Sequence, residues 1–236
     1  MTDPEAEALG AHSAGGPTPP ADIPGWFEPL LTRLRQTDAS DFTRLPTPDG
    51  EGRRQSAVLI LFGEQPEVGP DILVLQRAAT MRNHAGQPAF PGGAVDPGDA
   101  DSIACALREA EEEVGLDPST VDVVATLPTL WIPVSNFLVT PVVAWWRKPH
   151  PVGPVDPAEV ARVERLPIRE LVDPGHRLRV RHPSGWIGPA FRIHDMLVWG
   201  FTAGVLSTLL ELGGWAVEWP TGRVEELPTP GAAPVP

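Results

Sequence analysis

The stretch that decides the reading is Gly92-Gly93 together with Arg108-Glu109-Ala110-Glu111-Glu112-Glu113-Val114-Gly115-Leu116. Ile103, Leu107, Ala110 and Val114 recur at helical spacing, which predicts a helix over residues 100–114 with these side chains as its buried stripe. Asp99 or Asp101 can cap its start, and Gly115 suits the left-handed position that ends it. Glu109, Glu112 and Glu113 then fall on a shared face, one turn apart. Three like charges on one turn repel, so a solvated helix gains nothing from them. A hard divalent cation, Mg2+ or Mn2+, turns the arrangement into an advantage, because it takes oxygen ligands and keeps water positions that a phosphate can enter. Arg108, one turn before Glu112, can pair with the carboxylates and aim them. The glycine pair lets the backbone approach metal and phosphate closely. Glu-x-x-Glu-Glu alone would describe an ordinary acidic helix face. With Arg before it and Gly after it at fixed spacing, the pattern is much rarer.

Outward from this segment, helical spacing recurs at residues 26–35 (Phe27, Leu30, Leu31, Leu34). Short apolar runs predict strands at 57–62 and 72–75, separated by a Gly/Pro loop over 63–70. Further strands are expected at 121–127, 137–146, 160–166, 178–180 and 190–193. A second long helix is expected at 195–212, with Asp195 as its cap, and a last strand at 215–219. Helices and strands mixed without strict alternation imply an α/β sandwich on a mixed sheet. Residues 1–24, rich in Pro and small residues, read as a disordered tail, and 221–236 as a Pro-rich one. Between them the reading divides the chain into an N-terminal helical extension (25–54) and a main domain (55–220).

The chain has 236 residues, with 18 Lys+Arg against 31 Asp+Glu. That balance argues against a nucleic-acid partner. The excess is local: residues 92–122 hold nine acids and one base. Cys105 is the single cysteine, which excludes an internal disulfide and a Cys-based zinc site and reads as a packed apolar residue. No secretory signal is evident. The apolar run 196–210 is short for a membrane span. A soluble, cytoplasmic protein is expected.

The segment from Arg108 to Leu116 resembles the C-terminal half of the Nudix box, G-x5-E-x7-R-E-U-x-E-E-x-G-U, with Ala110 at the first bulky aliphatic position. The N-terminal half departs by one added residue between Gly93 and Arg108, so the box Glu position is Asp99 counted from Gly93 and Ala100 counted back from Arg108. That departure resembles the coenzyme A pyrophosphatase branch, whose upstream motif L-L-T-x-R-[SA]-x3-R-x3-G-x3-F-P-G-G is matched by Leu73, Arg77, Ala78, Arg82, Gly86 and Phe90-Pro91-Gly92-Gly93. Val74 and Leu75 differ from it. Two further stretches, from Leu127 to Ala144 and from Trp199 to Ala203, look like the same branch less specifically.

The resemblance implies a Nudix-type α/β/α sandwich. It also implies a metal-dependent hydrolase that cleaves the diphosphate of coenzyme A, or its derivatives, to 3′,5′-ADP and 4′-phosphopantetheine. By the same token Glu112 and Glu113 would bind Mg2+ or Mn2+, with the Gly93 carbonyl as a further ligand, and Glu109 would be a ligand or the general base. Arg108 would belong to the catalytic set. Arg77 and Arg82 are candidates for phosphate contact, since a guanidinium offers a two-pronged fork. Glu159 lies where some Nudix enzymes place a further ligand or base, against which stands its reading as a loop acid. Trp131 could stack on an adenine. A homodimer is compatible with the family. The alternatives are a Nudix hydrolase of another nucleoside diphosphate, such as ADP-ribose or NADH, and a catalytically silent ligand-binding module.

Overall fold

The computed structural model describes residues 22–43, 53–81, 85–133 and 135–227. The elements run α1 (Glu28–Leu34), α2 (Ala39–Phe42), β1 (Arg54–Gln65), β2 (Gly69–Arg77), β3 (Pro88–Ala89), β4 (Gly92–Ala94) and α3 (Ser102–Val114). A 3-10 turn (Pro118–Thr120) leads to β5 (Val121–Thr126), β6 (Leu130–Ile132), β7 (Phe137–Trp146), β8 (Val160–Pro167) and α4 (Ile168–Leu171). The remainder is β9 (Arg177–Arg181), β10 (Ile187–Ile193), β11 (Met196–Val198), α5 (Gly200–Leu212) and β12 (Val224–Glu226).

The main sheet runs β3-β2-β1-β7-β5, with β4 also on β1, β6 on β7 and β8 on β2. It is mixed, because β1 and β7 are parallel whereas β1–β2, β2–β8 and β5–β7 are antiparallel. Its central strands are apolar on both faces, and residue parity sorts them cleanly. Ala57, Leu59, Leu61, Leu73, Leu75, Val142 and Ala144 pack with Cys105, Ala106, Ala110 and Val114 of α3. Ile60, Phe62, Ile72, Val74, Val143 and Trp145 pack with α1 and α5 on the opposite side. A sheet buried on both faces demands such cover, and the result is the expected α/β/α sandwich. A smaller sheet, β11-β10-β9-β12, packs beside α5. No helix among the described residues is long and apolar enough to cross a membrane.

Several local expectations change. The loop expected over 63–70 narrows to a turn, because β1 and β2 continue as a hairpin with Gln65 opposite Gly69. The buried Asp71 at its end is paired with Arg165 of β8, 2.8 Å away. The helix expected from 195 begins at Gly200. His194 and Asp195 instead sit at φ 48° and 58°, the two central residues of a tight hairpin that pairs Met196–Val198 with β10. Asp195 therefore caps nothing. Residues 215–219 form no strand, because their aromatic rings are spent on packing: Trp215 meets Trp26 and Phe62, and Trp219 covers the Arg177 guanidinium. The last strand is β12, parallel to β9, and Leu227 beside it is buried. Residues 221–227, counted with the Pro-rich tail, thus belong to the folded body. Of the N-terminal tail, residues 1–21 lie outside the described residues, as do 228–236.

Gly92 marks where this architecture tolerates least change. A β-carbon there would lie 2.3 Å from the Ala57 carbonyl oxygen and 2.7 Å from the Val58 α-carbon, both backbone atoms of β1. Gly92→Ala is expected to destabilise the fold by about 1–3 kcal/mol. The check is thermal unfolding beside Gly153→Ala, whose added carbon meets nothing within 4 Å and should leave the midpoint unchanged. Equal midpoints for the two variants would contradict the packing described.

Candidate active site

Helix α3 forms as its sequence demands. Asp101, rather than Asp99, is the cap: its carboxylate accepts the Ala104 N–H at 2.8 Å. Gly115 takes the left-handed conformation (φ 70°) at the other end. The stripe pressed on the sheet is Cys105, Ala106, Ala110 and Val114, with Ile103 and Leu107 only partly buried at its margin. The small side chains at 105, 106 and 110 bring the helix axis close to the sheet. That approach carries the carboxylates of the opposite turn over β4.

Each glutamate meets a different environment. Glu113 is buried and accepts the Gly92 N–H at 2.9 Å, while Arg77 Nη1 stands 3.7 Å from its other oxygen. Burial pushes the Glu113 carboxyl up to about 7, and the Gly92 N–H and Arg77 pull it only part of the way back. Glu109 lies directly over Gly93: a β-carbon at that glycine would fall 2.4 Å from its carboxylate atoms. Burial raises the Glu109 carboxyl as well, against the opposing pull of Arg108. Glu112 is mostly exposed and reaches Arg108 at 3.0 Å.

Arg108 is the hub. Its Nε and Nη2 grip both oxygens of Asp99 at 3.0 and 2.9 Å, and its Nη1 donates to Glu109 and Glu112, each at 3.0 Å. Nη2 also faces the Ala94 carbonyl at 3.3 Å. Asp99, held by the guanidinium fork and the Asp96 N–H, is drawn down to about 2. The Arg108 guanidinium is held above its usual range, chiefly by Asp99. This two-pronged pair was not foreseen in the sequence reading, which offered Asp99 only as a cap or a substitute for the box glutamate. The added residue before Arg108 was the available signal.

The predicted residues are thus brought to one place in part. Glu109, Glu112, Glu113, Gly93, Arg108 and Arg77 share a single locality. Glu159 is exposed on the loop before β8, near enough to Glu113 to repel its charge, with its carbonyl accepting the Ala78 N–H at 2.8 Å. Trp131 stands apart on β6. Arg82 lies outside the described residues. Among the described residues, no three His, Cys, Asp or Glu side chains are already arranged to hold a metal ion. The glutamates are instead engaged by Arg108 and the Gly92 N–H. Cys105 is buried with its thiol pushed up to about 11 chiefly by burial, which disqualifies it as a nucleophile.

Comparison with known proteins agrees with this geometry. Residues 52–186 match the NUDIX domain. The chain is 43% identical over 169 residues to a Cronobacter sakazakii protein named "Uncharacterized Nudix hydrolase NudL", covering 68% of this chain and 84% of that one. Its counterpart in Escherichia coli K12 is 40% identical over 168 residues, covering 68% and 83%. The crystal structure of RenU, a Nudix hydrolase from M. smegmatis, superposes with a TM-score of 0.50 at 20% identity, over 70% of this chain and 88% of that one, and so shares the fold. A Gly-Gly strand clamped beneath an Arg-Glu-x-x-Glu-Glu helix, in a chain matched over residues 52–186 and 43% identical to a Nudix hydrolase, leaves one assignment: the chain belongs to the Nudix hydrolase family.

Proposed function

We propose that this Nudix hydrolase cleaves the diphosphate of coenzyme A or its derivatives, releasing 3′,5′-ADP and (acyl-)4′-phosphopantetheine. The supporting observation is that the upstream motif and the box close on one site. Arg77 ends β2, Phe90-Pro91-Gly92-Gly93 leads into β4, and the Arg77 guanidinium points at Glu113 of the box helix. Arg77 Nε is buried without a hydrogen-bond partner among the described residues. The Arg77 side chain is 26% exposed, so its guanidinium can also meet a phosphate oxygen, and Arg82 is assigned the same duty from its place in the motif.

The residues present suit a hard divalent cation, Mg2+ or Mn2+. The donors are oxygens, Gly93 has no side chain to keep the Glu109 carboxylate away from its backbone, and Glu113 is a buried carboxylate short of positive charge. Glu112, Glu113 and the Gly93 carbonyl would hold it, with Glu109 either a further ligand or the base. When bound, such an ion neutralises the diphosphate and polarises its phosphoryl oxygens. Glu109, raised by burial, is suited to take the proton of the attacking water. The water oxygen bonds to phosphorus, the bridging P–O bond breaks, and the bridging oxygen leaves on the second phosphate. Arg108 orients Glu109 and Glu112 while Asp99 fixes Arg108.

Product analysis with coenzyme A, ADP-ribose and NADH side by side, each with Mg2+ and with Mn2+, tests the substrate. Coenzyme A should show the highest kcat/KM. Turnover no faster than that of the other two would remove the assignment in favour of another nucleoside diphosphate, and no turnover of any would favour a silent binding module.

The Arg108–Asp99 pair makes a pH prediction. The folded value of Asp99 lies below the ordinary unfolded value of about 3.9. Its contribution to stability is therefore complete above roughly pH 4 and is lost as the pH falls toward about 2. Urea midpoints of the wild type and Asp99→Asn should differ at neutral pH and converge across that window. A constant difference would contradict the pairing.

A further inference from the structure

The face of the main sheet that carries α3 is not wholly covered by it. Ala57 is fully buried and Thr140, beside it on β7, nearly so. One row further toward the start of β1, the cover ends. Gln55 is exposed there, Leu138 and Trp131 are half-exposed, and Val95 is 37% exposed.

These four residues form a single row across four strands. Val95 N–H donates to the Gln55 carbonyl at 3.0 Å, Gln55 is the register partner of Leu138, and Leu138 that of Trp131. Directly paired residues project to the same face, and Gln55 and Leu138 have the parity of Ala57 and Val142, which pack on α3. Trp131 therefore shares a face with Gly93 and Glu109. The row is two residues, or about 7 Å, along the strands from Gly93, and Trp131 is three strands, or about 14 Å, across. The two offsets combine to about 16 Å between backbone positions, a span that an extended nucleoside diphosphate covers together with the reach of the Trp131 and Glu109 side chains. The indole is steadied by a hydrogen bond from its Nε1 to Asn136 Oδ1 at 3.4 Å, and Asn136 is held in the left-handed conformation (φ 55°).

We propose that Trp131, with Leu138 and Val95 as its apolar flank, is the shelf on which the adenine ring of the substrate stacks while its diphosphate lies at Glu109 and Glu113. The assignment rests on the coenzyme A reading for the adenine and on the sheet register for the place. A flat heteroaromatic ring is the occupant because the shelf offers an indole face and aliphatic carbon. The flexible pantetheine arm would gain nothing specific from an indole. It is left the opposite side of the site, toward Arg77 and Glu159.

Product inhibition separates the two ends of the substrate. In Trp131→Leu, which keeps apolar bulk for folding, the inhibition constant of 3′,5′-ADP should rise roughly 5- to 150-fold, the range for loss of one base–aromatic stack. That of 4′-phosphopantetheine should not move, and Trp131→Phe should restore most of the loss. Weakened 4′-phosphopantetheine binding, equal weakening of both products, or no change in either would overturn the shelf. If coenzyme A fails as substrate, AMP and ribose 5-phosphate replace the two products. Loss of AMP affinity alone then keeps the shelf while the substrate assignment falls, and unchanged AMP affinity overturns it.

Discussion

Helix α3 can lie against this sheet only because position 93 has no side chain. The Glu109 carboxylate occupies the space in which a β-carbon would stand, and one residue earlier the Gly92 N–H is bonded to Glu113. Gly92 and Gly93 are in turn fixed by their register with Val58 and Ala57 of the central strand β1. A chain of backbone contacts thus runs from the middle of the sheet to two carboxylates. The small residues Cys105, Ala106 and Ala110 complete the approach from the helix side. Everything chemical about the site inherits its placement from this closure.

The closure has an electrostatic consequence. Burial and mutual repulsion would make the acidic face costly if it stood alone. Arg108 offsets part of that cost by reaching Asp99, Glu109 and Glu112 at once, and Arg77 offsets part for Glu113. The compensation is incomplete at Glu113, whose carboxyl remains high. A site in which an arginine holds carboxylates in place, with one buried acid still short of positive charge, suits a dication and a polyanionic substrate arriving together. The overall charge of −13 is therefore no sign of a surface hostile to nucleotides. Nine acids against one base fall between residues 92 and 122, the segment that carries the box carboxylates.

The sequence was most legible where local rules act alone. A 3.6-residue repeat bounded by Asp101 and Gly115 is a helix in any context, and a long apolar β-branched run such as Phe137–Trp146 becomes a central strand. The carboxylate set followed from spacing on that helix. It was least legible where tertiary pairing chose among local options. Met196–Val198 could continue a helix, yet it pairs with β10 across a turn made by His194 and Asp195, which carry no glycine to announce it. Trp215 and Trp219 look like strand residues and serve instead as packing rings. Asp99 looked like a cap and became the anchor of Arg108 because a loop one residue longer presents it to the guanidinium. The place of Trp131 depends on the register of four strands, which no spacing along the chain encodes.

The central claim is that the face bearing Glu109, Glu112 and Glu113 is a divalent-cation site, and Mn2+ binding followed by electron paramagnetic resonance tests it without reference to any substrate. Glu112 is the residue to change, since its side chain is 60% exposed and its loss leaves the core intact. Glu112→Gln should weaken Mn2+ binding by about tenfold or more, at least the loss that changing even an outer-shell partner of a metal site brings. Glu111→Gln, one position away and exposed, should bind as the wild type does. Equal Mn2+ affinity in wild type and Glu112→Gln would contradict the account.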